Sequence, residues 1–362
     1  MTQANILAQL GSTSGPTFRN RIINGAMVID QRNAGASVSN INGIVYSVDR
    51  WLTQGSVASK FTAQQNAGSV TPPVGFANYL GITSSSAYSV SSGDYFSIGQ
   101  KIEGYNIADL GWGTANAKTI TVSFWVYSSL TGTFGAVIQN NTVNRTYPFT
   151  YSIPVANTWT QISVPVAGDT AGTWATTNSS GIFLQFGLGV GSTYSGTAGS
   201  WSSNNYVSAT GATSVVGTNG ATFYITGVQL EVGSSATGYE YRPYGTELAL
   251  CQRYYETNGC NAPSQVESGS NSAWTSIQYQ VPKRATPTIG FTANSIYYRQ
   301  YGVNGYGPIT SPSIISTYIA VDSAMLRVGT YSSFSSPGSV MFVSGTTGSN
   351  STTDPFSISA EL

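Results

Sequence analysis

The feature that most constrains the fold is a period-two alternation of apolar residues, which recurs along the chain. Residues 119–127 and 182–190 both show it, and in the first segment the apolar positions are Ile120, Val122, Phe124 and Val126. Alternation of this kind predicts strands with one face in a core, and convincing long helical periodicity is absent. Turn-rich stretches such as 191–205 separate the apolar segments. The chain is therefore predicted to be all-β.

One predicted strand changes its hydrophobic phase halfway along. Phe223 and Ile225 share one parity, whereas Val228 and the apolar residues after it take the other. A one-residue slip moves side chains to the opposite face of a sheet, and glycine commonly marks the bulge that absorbs it. We therefore predict a bulge at Gly227. The alternative is that Phe223 and Ile225 lie at an interface between chains.

The distribution of these segments predicts three parts. Residues 1–43 form an N-terminal arm that is too short to hold a core. Residues 44–245 are predicted to form an antiparallel jelly-roll β-sandwich, because many short strands occur without alternating helices. Residues 246–362 are predicted to form a second, smaller β domain. At its start, residues 247–256 fit either a strand or a short helix.

The charge content argues against several classes of partner. Only 8% of the residues are charged, compared with about 25% in an ordinary soluble protein. Lys+Arg and Asp+Glu balance at 14 each, so we expect no nucleic-acid partner. No run of about eighteen apolar residues is present, so we expect no membrane insertion. The opening MTQANILAQLGSTSG lacks the pattern of a secretory signal, which favours synthesis in a cytosol.

The absence of histidine restricts catalysis and metal binding. Ser-His-Asp relays and the usual zinc sites need histidine or more thiols than Cys251 and Cys260 supply. No EF-hand spacing appears, so we expect no metal and no cofactor. A glycosidase needs two carboxylates, and Asp94, Glu103 and Asp109 lie close in sequence, but such residues are more often solvated loop carboxylates. We therefore expect no catalytic residues. The two cysteines are expected to be reduced, with a bridge across a hairpin as the alternative.

Two groups of residues combine aromatic rings with amides or carboxylates. The segment 295–308 carries four tyrosines among Gly and Asn, and the sandwich region carries a tryptophan with two polar neighbours. Rings can stack on sugar CH groups while amides and carboxylates bind the hydroxyls. The candidate ligand-binding residues are therefore Tyr297, Tyr298, Tyr301, Tyr306, Trp112, Asn106 and Asp109. The alternative is that the tyrosines pack inside a β protein or between its chains.

The N-terminal arm combines apolar residues at 22–29 with Arg19, Arg21, Asp30 and Arg32. This mixture suits docking to a larger assembly or to sister chains. The alternative is an additional strand that covers an edge of the sandwich.

Two segments resemble bacteriophage tail-fibre and related virion proteins. RNRIINGAMVIDQRNAG (19–35), followed by YSVDRW (46–51), resembles their amino-terminal portion, and FYITGVQLEVGSSATGYEYRPYGTELALCQRYYE (223–256) resembles their domain exit. FSIGQKIEGYNIADLGWGTANAKTITVSFWVYS and NTWTQISVPVAG are similar to the jelly roll of carbohydrate-binding modules. The resemblance implies a homotrimeric virion component whose arm contacts other virion proteins.

The same resemblance implies contact with the host surface, through a glycan or an envelope receptor. We therefore expect a non-enzymatic tail fibre that is made in the host cytoplasm and exposed on the particle. Many carbohydrate-binding jelly rolls carry an acidic pair for calcium before the last strand, where this chain has Ile225-Thr226-Gly227. One alternative is a capsid-decorating or tail-joining protein without a receptor role. A polysaccharide depolymerase comes third, because the repeat of a parallel β-helix is missing.

Overall fold

The computed structural model describes residues 19–258, 263–266, 272–291, 296–300, 306–308, 313–329, 339–344 and 356–362. The chain divides into two compact units. The first comprises residues 1–28, 35–47 and 51–242, and the second comprises 29–34, 48–50 and 243–362.

The first unit is an antiparallel jelly-roll β-sandwich, which confirms the predicted fold class. The first six-stranded sheet has the order β1-β4-β5-β14-β7-β10, and the second has the order β2-β3-β6-β11-β8-β9. Two short strands, β12 and β13, pair in parallel. The bounds of the strands are β1 (Val38–Ser39), β2 (Gly43–Tyr46), β3 (Leu52–Gly55), β4 (Phe61–Gln65), β5 (Leu80–Ser84), β6 (Tyr95–Glu103), β7 (Ile120–Ser128), β8 (Gly132–Asn140), β9 (Thr146–Ile153), β10 (Thr160–Val166), β11 (Ser180–Val190), β12 (Ser195–Gly196), β13 (Ser208–Ala209) and β14 (Thr222–Val232). Among the described residues of this unit, 3₁₀ turns lie at Ala67–Ser69, Gly104–Asn106, Ala108–Leu110 and Ser192–Tyr194.

The predicted alternation places the core between the two sheets. Strand β7 buries Phe124, whose ring packs against those of Tyr151 and Phe186, with a centroid distance of 5.0 Å in each case. Edge-to-face pairs of this kind add to the stabilisation from burial alone. The alternate residues Trp125 and Tyr127 on β7 are only half-buried, as expected for the outer face of a sheet.

The predicted bulge is present in strand β14. Its pairing with β7 shifts register between Thr226 and Gln229, and Gly227 has a φ of 61°. Phe223 and Val228, which lie on opposite sides of the bulge, are both fully buried. The bulge therefore keeps both halves of β14 facing the core, and Phe223 does not lie at an interface between chains.

The bulge also marks a change of neighbour for β14. Before it, residues 222–225 pair with β5. After it, the N-terminal arm takes that side: Val228 N donates to Gly25 O (3.0 Å) and Arg21 N donates to Leu230 O (2.9 Å). The approach is so close that a Cβ on Gly25 would lie 2.1 Å from the Val228 carbonyl oxygen. The first part of the arm thus completes the sheet.

At the end of the arm and just after it, β1 and β2 take edge positions in the two sheets. Strand β1 pairs with β4, and β2 pairs with β3. The apolar residues Ile22 and Met27 of the arm are fully buried. This part of the chain therefore contributes to the sandwich itself.

The second unit contains one helix and two sheets among its described residues. Helix α1 spans Tyr244–Gln252, which resolves the ambiguity over residues 247–256: the helix comes first and strand β15 follows it. The sheets have the orders β15-β24-β18 and β20-β19-β23-β16-β17-β22-β21. Their bounds are β15 (Tyr255–Asn258), β16 (Pro263–Val266), β17 (Ser272–Gln278), β18 (Thr288–Phe291), β19 (Ile296–Gln300), β20 (Tyr306–Pro308), β21 (Ser313–Ile319), β22 (Ser323–Gly329), β23 (Ser339–Ser344) and β24 (Phe356–Ser359).

Buried ion pairs hold the second unit together. Lys283 Nζ lies 2.7 Å from Glu256 Oε2, and both side chains are fully buried. Glu361, next to the C-terminal residue, pairs with Arg32 at 2.8 Å and also with Arg50. Because an unpaired buried charge is very costly, these contacts tie residues 29–34 and 48–50 to the end of the chain.

Candidate functional site

The outer face of the second sheet of the sandwich carries a groove of about 270 Å³. Its lining comes from strands β2, β3, β6, β8 and β11 and from residues that lie between strands. The lining combines side-chain amides, aromatic rings and one formal charge. The lining residues are Ile44, Gln54, Tyr95, Lys101, Gln139, Asn140, Asn141, Val143, Ser180, Phe183, Gln185, Tyr194, Asn205 and Val207.

A cross-strand row forms part of the groove floor. Phe183 of β11 lies opposite Lys101 of β6 on one side and Gln139 of β8 on the other. Lys101 Nζ lies 5.7 Å from the centroid of the Phe183 ring, within the range of a cation–π contact. Gly99 lies next to this row, and a Cβ there would lie 2.3 Å from the Leu184 carbonyl oxygen and 2.9 Å from the Phe183 ring. Glycine at this position therefore leaves room for the neighbouring backbone as well as for the aromatic ring.

A chain of hydrogen-bonded amides crosses the same floor. Gln54 Nε2 donates to Gln185 Oε1 (2.5 Å), Gln185 Nε2 donates to Gln139 Oε1 (3.0 Å), and Gln139 Nε2 donates to Asn205 Oδ1 (2.6 Å). Ser97 Oγ also donates to Gln185 Oε1 at 3.1 Å. Gln139 and Gln185 are almost fully buried, and buried amides in a connected network are held in fixed orientations.

The two ends of this amide chain offer different groups to a ligand. Within the described ranges, Gln54 keeps its Oε1 acceptor and Asn205 keeps its Nδ2 donor without a protein partner. Two half-buried rings stand at the rim, where Tyr95 and Tyr194 meet edge to face with centroids 5.2 Å apart. The groove therefore presents oriented donors and acceptors beside apolar ring faces, the combination that binds a ligand with apolar faces and many hydroxyls.

The predicted residues Asn106, Asp109 and Trp112 lie outside this groove. Asp109 and Asn106 are exposed and both contact Arg21: its Nη2 donates to Asp109 Oδ2 at 2.7 Å and its Nη1 donates to the Asn106 carbonyl at 3.1 Å. Trp112 is 7% exposed. The structure therefore brings the two polar residues together around Arg21, and sugar binding by this trio remains a prediction.

The Trp112 ring is enclosed by two further tryptophans. Its centroid lies 4.7 Å from that of Trp174 and 5.3 Å from that of Trp201, edge to face in both cases. Beside this cluster, Arg145 Nε and Nη2 donate to the two carboxylate oxygens of Asp169 at 2.7 and 2.5 Å. This pairing raises the pKa of Arg145. The three tryptophan rings therefore pack against one another as side chains do in a hydrophobic core.

The four tyrosines predicted as a contact surface belong to the second unit. Tyr297 and Tyr298 lie in β19, whose backbone pairs with β20, and Tyr306 begins β20 opposite Arg299. The backbone pairing thus brings three of the four positions into neighbouring strands. Tyr301 lies outside the described residues, and ligand binding by the group remains a prediction.

The predicted docking residues contact groups in their own chain. Arg21 pairs with Asp109, and Arg32 with Glu361. Asp30 Oδ1 accepts from Asn33 N at 3.0 Å. The exposed Arg19 donates through its backbone N to Glu240 Oε1 at 3.1 Å. Virion docking by these four residues remains a prediction.

The three carboxylates that suggested a glycosidase do not line the groove. Asp94 Oδ2 accepts from Ser91 N at 2.8 Å, and this backbone hydrogen bond is the main cause of its lowered pKa. Glu103 is buried, whereas Asp109 is exposed and paired with Arg21. The three carboxylates thus differ in burial and in hydrogen-bond partners, and none of them lines the groove. No cluster of three or more His, Cys, Asp or Glu side chains suited to a metal ion occurs within the described ranges.

The structure describes one of the two cysteines. Cys251 is a buried free thiol, and burial raises its pKa well above the usual value. Cys260 lies outside the described residues.

Among the residues that the structure describes, no helix has both the length and the apolar character needed to cross a bilayer.

Comparison with known proteins gave matches only among solved structures. No protein-family model and no curated protein matches the chain. The chain is similar to the enzymatically active domain of tailspike protein 4 from bacteriophage CBA120, with 12% identity, a TM-score of 0.33 and coverage of 59% of this chain; it spans only 22% of that domain's length. It is also similar to TmCBM61 in complex with beta-1,4-galactotriose, with 10% identity, a TM-score of 0.30 and coverage of 59% of this chain and 99% of the other. A third similar structure is the family 11 carbohydrate-binding module from Clostridium thermocellum with a mixed-linked tetrasaccharide, with 10% identity, a TM-score of 0.26 and coverage of 55% and 96%.

Proposed function

We propose that the chain binds carbohydrate without cleaving it, through the groove on the second sheet of the sandwich. The observation that carries this proposal is the amide chain from Gln54 to Asn205, which runs beside the rings of Phe183, Tyr95 and Tyr194. Sugar rings present apolar CH faces and equatorial hydroxyls, which match aromatic rings and fixed amides respectively.

The lining of the groove also favours binding over hydrolysis. Glycosidic cleavage requires two carboxyl groups about 5–10 Å apart. The lining residues within the described part of the chain include no Asp or Glu. The proposed role is therefore adhesion.

The biological setting that we propose is a phage particle. The motifs at 19–35 and 223–256 resemble those of tail-fibre and related virion proteins, and they favour a homotrimeric fibre that attaches to a glycan on the host surface. A weak overall charge permits close association of like chains, since mutual repulsion is small. A native mass of three chains would support this assembly, and a monomeric mass would contradict it.

The function is tested by glycan-array binding of purified protein with a set of groove variants. Phe183→Ala removes the central ring, and we expect binding to fall at least about ten-fold, equivalent to about 1.4 kcal/mol. Phe183→Leu keeps apolar bulk without a ring face, so it should also weaken binding if stacking is responsible. Tyr105→Ala serves as the control, because Tyr105 is an exposed aromatic residue outside the groove.

Because Phe183 is only 8% exposed, Phe183→Ala should lower the unfolding temperature, so binding is compared at a temperature at which the thermal unfolding curve of each variant shows that it is folded. If the wild type binds no glycan, or if Phe183→Ala binds as the wild type does, carbohydrate binding by the groove is wrong. Lack of binding together with tight incorporation into particles, seen by imaging labelled virions, would favour the decorating or tail-joining role. Release of reducing sugar from a host polysaccharide would contradict a non-enzymatic role.

A further inference from the structure

Resting on the proposed function, we infer that Val143 contacts the bound carbohydrate, and that its left-handed backbone conformation is retained because it holds the isopropyl side chain in the groove. Val143 lies in the hairpin that joins β8 to β9, and it belongs to the lining of the groove. The group of the ligand that this side chain would contact is apolar, either a CH face of the sugar ring or a methyl substituent.

The backbone of Val143 is strained. Its φ of 52° lies in the left-handed region, where the Cβ of an L-amino acid crowds a carbonyl oxygen and where a β-branched residue is an outlier. Nine described residues other than glycine have a positive φ, and Val143 alone among them is β-branched. Turns that need this conformation usually place Gly or Asn there. Valine therefore lowers stability at a position where asparagine or glycine would be tolerated.

One buried asparagine fixes the turn around Val143. Asn140 is 1% exposed, and its Nδ2 donates to Thr142 Oγ1 at 2.9 Å and to the Thr173 carbonyl at 3.1 Å. Its Oδ1 accepts from Asn144 N at 3.1 Å, and its carbonyl accepts from Val143 N at 3.1 Å. Backbone strain persists only where the surrounding structure fixes the conformation. These hydrogen bonds therefore explain how the turn tolerates valine, and the choice of valine needs a separate cause.

The side chain of Val143 gains little from packing within the described part of the chain. The residue is 43% exposed, so burial in a core does not offset the strain. Asn141 of the same turn is also exposed and also lines the groove, so the hairpin presents an amide and an apolar side chain to one space. A sugar bound there would cover the exposed methyl groups and supply the missing apolar contact. Strained residues cluster at ligand-binding sites, where the strain serves to position a group in advance.

Two substitutions separate the side chain of Val143 from its backbone. Val143→Thr keeps the shape and the β-branch but replaces a methyl group with a hydroxyl, so it should unfold in urea like the wild type and bind glycan about five-fold more weakly. Val143→Asn relieves the strain and removes both methyl groups. It should therefore unfold at a higher urea concentration than the wild type and yet bind about ten-fold more weakly.

Val155→Thr is the matched control for these variants. Val155 is 56% exposed, lies outside the groove lining and has no positive φ. The same exchange of a methyl group for a hydroxyl should therefore change neither the urea midpoint nor the binding of glycan.

The binding measurement uses the glycan array with two matched pairs added. Acetylated xylan is paired with its deacetylated product, and L-fucosyl conjugates are paired with L-galactosyl conjugates, which carry one further hydroxyl group. If the loss of binding in Val143→Thr is confined to the acetylated or fucosyl member, the contact is a methyl group. An equal loss for both members of a pair identifies a CH face of the ring.

The outcomes distinguish this inference from the proposed function. If Val143→Thr and Val143→Asn bind every glycan as the wild type does, Val143 does not contact the ligand, and carbohydrate binding by the groove stands. If Val143→Asn is no more resistant to urea than the wild type, valine lowers no stability that binding has to explain, and the inference is overturned as well. Failure of the wild type to bind any glycan would overturn both the inference and the proposed function.

Discussion

Gly227 is the residue on which the shape of strand β14 depends. Its φ of 61° lies in the left-handed region, and a Cβ at this position would lie 2.6 Å from the Phe76 ring. Gly227→Ala therefore combines backbone strain with a steric clash, and we expect a loss of more than about 2 kcal/mol in the free energy of unfolding. Urea denaturation of the purified variant measures this loss.

The variant Gly211→Ala separates the cost of backbone strain from the cost of a steric clash. Gly211 has a φ of 79°, but a Cβ there would meet no atom within 4 Å. It should therefore show only the backbone cost, about 1 kcal/mol. Equal losses in the two variants would mean that the contact with Phe76 contributes nothing.

The raised pKa of Asp49 leads us to expect that the stability of the protein depends on pH. Burial raises its pKa from 3.8 to about 7, opposed by a hydrogen bond from Gln31 and by the charge of Arg32, while Glu361 and Asp30 raise it further. Because the folded state binds the proton more tightly than the unfolded state, this carboxyl favours folding at low pH. That contribution is lost as the pH rises from 3.8 to about 7.

The variant Asp49→Asn isolates this effect. Asn cannot ionise, so its stability relative to the wild type should improve between about pH 5 and about pH 8. Urea unfolding of both proteins at the two pH values provides the measurement. A stability difference that does not change with pH would show that Asp49 has an ordinary pKa.

At the scale of elements, a single asparagine side chain adds to the backbone hydrogen bonds between the N-terminal arm and β14. Asn20 Nδ2 donates to Val228 O at 3.1 Å, and its Oδ1 accepts from Ile22 N at 2.9 Å and from Leu230 N at 3.1 Å. Asn20 is buried. One side chain thus replaces part of the backbone ladder that β5 provides before the bulge.

Asn20→Ala should destabilise the protein by about 2–4 kcal/mol, because it leaves buried backbone groups unsatisfied. Thermal unfolding of the variant measures the effect. Asn106→Ala is the matched control: that side chain is exposed, and the substitution should change stability by less than about 0.5 kcal/mol. If both variants unfold like the wild type, the arm contributes little to the sandwich.

Strands and the bulge could be predicted because alternation is local to a few residues. Helix α1 could not, since its buried face consists of Glu247 and Cys251, four residues apart, rather than of strongly apolar residues. The apolar residues Leu248, Leu250 and Tyr254 do not choose between the two periods, which left a strand and a short helix both open. The buried face carries too little hydrophobic contrast to reveal the helical period.

The groove was not predicted, because its floor comes from strands that are far apart in the sequence. Gln54, Gln139 and Gln185 each occupy an outward position, where a polar residue is the ordinary choice for a solvated face. One signal was present: Phe183 and Gln185 are large residues that alternate with the buried Ile182, Leu184 and Phe186. A strand with bulky residues on both faces indicates that its outer face is also used.

At the scale of the whole molecule, the second unit is not a continuous stretch of chain. It includes residues 29–34 and 48–50 as well as 243–362. Arg50 lies with its guanidinium 3.5 Å from the ring centroid of Tyr254, and Arg32 lies 3.6 Å from that of Tyr255. The predicted boundary at residue 246 separates these partners.

We therefore expect a fragment of residues 243–362 to lack a stable fold. Without Arg32 and Arg50, the buried Glu361 loses both of its cationic partners, and an uncompensated buried charge costs about 3–5 kcal/mol. Amide hydrogen exchange compares the fragment with the same residues in the full chain. Equal protection in the two proteins would show that the N-terminal segments are dispensable for this unit.

At the bulge, β14 exchanges β5 for the N-terminal arm as its neighbour, and this exchange affects the order in which the sandwich can form during synthesis. Residues 20–25 emerge early, but the backbone groups that they bind belong to residues 228–230, made about two hundred residues later. Contacts of such high sequence separation form slowly. Residues 20–25 therefore wait without these partners until residues 228–230 have been synthesised, and release of the growing chain before residue 230 would leave them without the strand that they bind.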